Sequence, residues 1–164
     1  MTQPAKLLFM CGKMAAGKST LAAELARRDG TILLVQDHFL ATLYPGDIVD
    51  IADYVKYSSR LREALTPHIT SLLSNGITVV LDFPANTKFQ RAWFRELFES
   101  SRVEHELHFI DVSDELCKRQ LMQRSQGLPE GAAFTSEAEF DAITSHFQAP
   151  SAQEAFNVIR HTRA

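Results

Sequence analysis

Gly12-Lys13-Met14-Ala15-Ala16-Gly17-Lys18-Ser19-Thr20 fits the pattern G-x-x-x-x-G-K-[ST], and its neighbours on both sides give it a structural meaning. Ahead of it, Leu7-Leu8-Phe9-Met10-Cys11 is an unbroken apolar run that reads as a buried strand; behind it, Leu21-Ala22-Ala23-Glu24-Leu25-Ala26 is rich in helix formers. Strand, glycine-bearing loop and helix in that order make a phosphate-binding P-loop. The first N–H groups of a helix have no partner within it, and the helix dipole favours negative charge there. The candidate nucleotide-binding residues are Gly12, Lys13, Ala15, Ala16, Gly17, Lys18, Ser19 and Thr20. The backbone wraps the anion, Lys18 reaches the β- and γ-phosphates, Ser19 offers its hydroxyl to Mg2+, and Thr20 packs in the first helical turn.

The pattern continues outward. Arg28-Asp29-Gly30 stops the first helix, and Thr31 to Val35 reads as a second strand with Asp37 at its carboxyl end. A loop through Tyr44-Pro45-Gly46-Asp47 is expected next, then a helix on which Tyr57, Leu61, Leu65 and Ile69 recur every four residues. Pro67 is expected to kink that helix, or to start a new one capped by Thr66. Ile77 to Leu81 reads as a third strand ending in Asp82, and Thr87 with Gln90 as a capping box for a helix to about Ser100. Leu107 to Asp111 is a fourth strand, followed by a helix from Ser113 to about Arg124. The Gly- and Pro-bearing stretch from about 125 to 136 is expected to form a short lid. Ser136 and Glu139 fit a second capping box, on a helix carrying Phe140, Ile143 and Phe147, and Phe156 to His161 is a candidate last strand. Strands alternating with helices imply an α/β fold with a mostly parallel five-stranded sheet and helices on both faces, as in P-loop NTPases. Ligands of such sheets lie at the carboxyl ends of the strands, where the P-loop, Asp37, Asp82 and Asp111 converge.

The 164 residues suit one domain over the whole chain. With 45% hydrophobic and 23% charged residues the composition is that of an ordinary globular protein. A net charge of −3 and a pI near 6.1 give no footprint for duplex nucleic acid or an anionic membrane, so a small-molecule partner is expected. Cys11 and Cys117 have neither zinc-site nor redox spacing and read as core thiols. With no signal-peptide pattern and no membrane-spanning run, a cytoplasmic location is expected.

A P-loop specifies nucleoside triphosphate and Mg2+, and the remaining residues choose among kinase, motor and switch. Phe83 follows Asp82 where hydrolytic motors commonly carry glutamate, and no Asn-Lys-x-Asp motif is present. Phosphoryl transfer to an alcohol needs a base, cations around the moving group and exclusion of water. Asp37 is the candidate base, Asp82 the candidate for holding a metal-bound water or helping to position the acceptor, and Arg124, with Arg119 behind it, the candidate cation at the start of the lid. Tyr54, Tyr57, Arg60, Arg62, Asn86 and Arg91 are candidates for lining an acceptor site.

With these residues in place the chain resembles the small P-loop kinases of the predicted-kinase, zeta-toxin and chloramphenicol-phosphotransferase-like group. The resemblance rests on Gly12 to Thr20, Val35-Gln36-Asp37, Val79-Val80-Leu81-Asp82 with Asn86 and Arg91, Arg119 and Arg124, and Phe147-Gln148-Ala149-Pro150. It implies that Asp37 is the base for an acceptor hydroxyl, that the third strand lies beside the P-loop strand and puts Asp82 near the metal, and that Arg124 before Arg119 contacts phosphates. It implies an ATP- and Mg2+-dependent phosphotransferase. The alternatives are a polynucleotide 5′-hydroxyl kinase, for which no basic groove with aromatic platforms is evident, and a nucleotide-binding regulatory module.

Overall fold

In a computed structural model, residues 4–128 and 136–163 are described. The central part of the expected lid, residues 129–135, lies outside them. The strands are β1 (Lys6–Cys11), β2 (Thr31–Val35), β3 (Thr78–Asp82), β4 (Glu104–Val112) and β5 (Val158–Arg163). They are joined through α1 (Lys18–Leu25), α2 (Gln36–Leu43), α3 (Ile51–Ser74), α4 (Lys88–Ser101), α5 (Asp114–Ser125) and α6 (Glu137–Thr144). The sheet order is β2-β3-β1-β4-β5, and all four neighbouring pairs are parallel. β3 therefore lies beside the P-loop strand, and every strand ends on the same side of the sheet.

The apolar runs are continuous because both faces are covered. Leu7, Phe9 and Cys11 of β1 face one core, shared with Leu40 of α2, Leu61, Ile69 and Leu73 of α3, and Phe94 and Leu97 of α4. Leu8 and Met10 face the other, with Leu21, Ala22 and Leu25 of α1, Cys117 and Leu121 of α5, and Phe140 of α6. Both cysteines are buried free thiols, and burial pushes Cys11 up to about 11, which makes it a poor nucleophile. Among the described residues, no helix is long and apolar enough to cross a membrane.

Several local expectations need correction. The loop through Tyr44 to Asp47 is present, but a short helix precedes it: Asp37 is the second residue of α2, whose Leu40 anchors that helix in the core. Helix α3 does not break at Pro67, because the packing of Leu61, Ile69 and Leu73 holds the turns on either side. Thr66 does not cap a new helix; its hydroxyl donates to the Arg62 carbonyl at 2.7 Å and accepts from Trp93 Nε1 at 2.9 Å. Helix α6 keeps its capping box but ends at Thr144, leaving Phe147 outside, where Gln148 N–H bonds to the Asn86 carbonyl at 2.8 Å. The last strand starts at Val158 rather than Phe156, whose ring instead meets Phe9 and Phe98 edge-on.

Candidate active site

The sheet changes direction at β1: the chain runs to β2 and β3 on one side of it and then to β4 and β5 on the other. A cleft of about 620 Å3 opens at the carboxyl ends of the strands there, as expected for this topology. Its floor is the P-loop. Gly17 has φ 107°, a left-handed conformation that disfavours side chains, and it begins α1 without a side-chain cap, so the first helical N–H groups remain available to an anion. Lys18 Nζ donates to the Gly12 carbonyl at 2.7 Å, and burial lowers its pKa. Ser19 Oγ donates to Asp82 Oδ2 at 2.8 Å.

Those two oxygens suit Mg2+, a hard cation that takes oxygen ligands and completes its shell with water and substrate phosphates. Among the described residues no group of three or more His, Cys, Asp or Glu forms a metal cage, and a phosphate-bound Mg2+ needs none.

Asp37 faces this floor from the start of α2 and lines the cleft with Lys18, Asp82 and Arg124. Its carboxylate opens to the cleft, but the protein around it restricts hydration. That partial burial, and next the charge of Asp82, raise its pKa from 3.8, while Lys18 and Arg124 pull it back. The result is a carboxylate with enhanced proton affinity beside two cations, an arrangement fit for a base.

Arg124, in the last turn of α5, lines the cleft, as does Gln120, one helical turn before it. Arg119 is exposed and does not line it. Helix geometry explains the difference: positions 120 and 124 share a face, and 119 is rotated off it. Lys13 lines the cleft too, but its ammonium is tied to Asp114 Oδ1 at 2.6 Å and stands over the Phe147 ring, so its charge is partly spent on α5.

Of the acceptor-site candidates, Tyr54 and Asn86 line the cleft. Tyr54 Oη accepts from Gln36 Nε2 at 2.8 Å, and burial raises its pKa. Asn86 Oδ1 accepts from the Gly12 N–H at 2.9 Å, so it braces the P-loop. Arg91 is fully buried behind the floor, where it pairs with both Glu154 oxygens, at 2.8 and 3.2 Å, and donates to the Ala85 carbonyl. It is a structural cation. Tyr57 stacks on Tyr44, Arg60 sits over Tyr57 and Arg62 over Trp93, all outside the cleft lining. Asp111 is paired with Arg160 of β5 and does not line the cleft. Sequence reasoning did not single out Ile51, Val55, Gln120 or His146, which also line the cleft. The i, i+4 spacing of Gln120 with Arg124 was the available signal for one of them.

A protein-family profile described as an AAA domain matches residues 7–150. No curated protein matches the chain. Among solved structures, an APS kinase of Mycobacterium tuberculosis, CysC, in complex with AMPPNP and APS, is similar with a TM-score of 0.65 and 22% identity over 98% of this chain and 90% of that one. A sugar kinase of Janibacter sp. HTCC2649 gives a TM-score of 0.64 and 17% identity, covering 98% and 86%. Kti12 of Chaetomium thermophilum, in complex with ADP-AlF3, gives 0.69 and 13%, covering 95% and 88%. At these identities the likeness is one of fold, that of the small P-loop kinases.

Proposed function

The chain belongs to the AAA domain family, and we propose that it is an ATP- and Mg2+-dependent phosphotransferase that moves the γ-phosphoryl group to a hydroxyl of a small molecule. The observation that carries this reading is the make-up of the cleft: Asp37 lines it together with Lys18 and Arg124, and the hydrogen-bonded Ser19–Asp82 pair lies alongside. Hydrolytic motors commonly carry their water-activating glutamate directly after the strand-end aspartate, where this chain has Phe83, so Asp37 is the carboxylate left for an acceptor hydroxyl. Complexes of two similar folds hold AMPPNP or ADP-AlF3, which supports a nucleotide at the P-loop.

In the reaction Asp37 takes the proton of the acceptor hydroxyl as the alcohol oxygen bonds to the γ-phosphorus. The bond from that phosphorus to the β–γ bridging oxygen breaks, and ADP carries away the electron pair. Lys18 and Arg124 offset the charge on the moving phosphoryl group and leaving oxygen. Ser19 and Asp82 would hold Mg2+ or its waters, and the ion would supply Lewis-acid neutralisation of phosphate charge.

Incubation with γ-labelled ATP, Mg2+ and a fractionated small-molecule extract tests the proposal beside an Asp37→Asn variant. Label in new compounds with the unaltered protein alone is the expected result. If no compound is labelled while both proteins release phosphate equally, the regulatory-module reading replaces it.

A further inference from the structure

We infer, resting on the phosphotransferase reading above, that the acceptor is an uncharged alcohol with an apolar body rather than an anionic one such as a sugar phosphate, a nucleotide or a nucleic-acid end. The cleft's charges are unevenly placed. Its described cations, Lys13, Lys18 and Arg124, belong to the P-loop and to α5, where the nucleotide phosphates sit. On the acceptor side the lining changes character. Ile51 and Val55, one turn apart at the start of α3, stand beside Tyr54, and Phe83-Pro84 follow β3.

Ile51 and Val55 are 55% and 57% exposed, too open to be core residues, and they lie on one helical face looking into the cleft. An apolar pair left exposed at the rim of a polar site marks a place where apolar ligand surface is covered. Thr87 and Gln90 supply the few polar groups on this side, and each is partly committed: Thr87 Oγ1 accepts from Gln90 N–H, and Gln90 Oε1 from Asn86 N–H.

An anionic acceptor meets the opposite of what it needs. Beside Asp37 and Asp82 it is repelled, and among the described residues no Lys or Arg lies on the acceptor wall to compensate. The cations of α3 do not line the cleft: Lys56 and Arg60 lie over Tyr57, and Arg62 lies over Trp93 and acts on Tyr54 without entering the lining. Size bears only on a polymeric acceptor, and against it. The 620 Å3 of the cleft includes the nucleotide's share, so the acceptor's part is compact.

The test reads binding apart from transfer. Trp93 is the only tryptophan of the chain, and its ring lies 5.4 Å from that of Phe83 in the acceptor wall, so its fluorescence reports occupancy there. Asp37→Asn loaded with AMPPNP and Mg2+ is titrated with cyclohexylmethanol, glucose, glucose phosphate and an oligonucleotide bearing a free 5′-hydroxyl. Cyclohexylmethanol is expected to bind at least about tenfold more tightly than each of the other three, and Val55→Lys, at an exposed position, to weaken it by about tenfold. Tighter binding of glucose phosphate or of the oligonucleotide, indifference to Val55→Lys, or binding of none of the four overturns the inference. The expected binding order with no transfer to any alcohol by the unaltered protein sinks the kinase reading instead, and leaves only a site for an uncharged apolar ligand.

Discussion

On the phosphate side of the cleft, Gly12, Lys18, Ser19, Asp82 and Asn86 are tied together by three hydrogen bonds of 2.7 to 2.9 Å before any ligand arrives. On the acceptor side, the Asp37 carboxylate accepts no hydrogen bond among the described residues, and Ile51 and Val55 leave over half their surface open at 55% and 57%. The first region is preorganised for an anion whose shape never varies, so its donors can be fixed in advance. The second must admit and release an acceptor, and a base already saturated with hydrogen bonds would be a poorer one. Different chemistry thus shapes the two sides, with fixed electrostatics on one and an unspent carboxylate on the other.

The largest effect expected from this contrast is that of Asp37→Asn. Turnover should fall by about 10²–10⁴, the usual contribution of general acid–base catalysis, while equilibrium binding of ATP stays as it was. A parallel loss of ATP affinity would break the contrast by moving Asp37 into the phosphate side.

Arg91→Met probes the support behind the floor. It strands the Glu154 carboxylate, whose side chain is only 14% exposed, and should cost about 3–5 kcal/mol in urea unfolding. The protein that remains folded should keep its acceptor KM, which a residue lining the acceptor site would not allow. Next in size is Asn86→Ala. The buried Gly12 N–H loses its acceptor, a cost of about 1–3 kcal/mol, and the KM for ATP should rise while that for the acceptor does not.

Arg91 and Asn86 show where sequence reading stops. The P-loop, the parallel sheet, the positions of Asp37 and Asp82 at strand ends and the caps at Thr87, Ser113 and Ser136 are local patterns, set by residues within one turn or one strand of each other. They were legible for that reason. Whether an arginine on α4 points into a cleft or into the core depends on Glu154, some sixty residues later in the chain, and no local pattern carries that pairing. The continuity of α3 through Pro67 was hidden in the same way: the residue argues for a break, and the packing of Leu61, Ile69 and Leu73 overrides it. The acceptor wall was least legible, because its apolar residues are indistinguishable in sequence from those of a core.

The smallest effect concerns the cost of keeping Asp37 unspent. Its pKa is raised in the folded protein from 3.8, chiefly by partial burial and then by Asp82, so the native state binds the Asp37 proton more tightly than the unfolded chain does. Stability then declines as pH rises from the unfolded value through the folded one, and at neutral pH the full penalty of the ionised carboxylate is present. Asp37→Asn removes it. At pH 7 the variant should unfold at a slightly higher temperature than the unaltered protein, and the difference should vanish well below the unfolded value, where Asp37 is protonated in both states. Turnover of the unaltered protein should fall with decreasing pH through the same raised pKa, because only the carboxylate can accept the proton. A melting temperature of Asp37→Asn below that of the unaltered protein at pH 7 would mean that Asp37 is held by interactions it must give up in order to act. The two sides of the cleft would then be built alike.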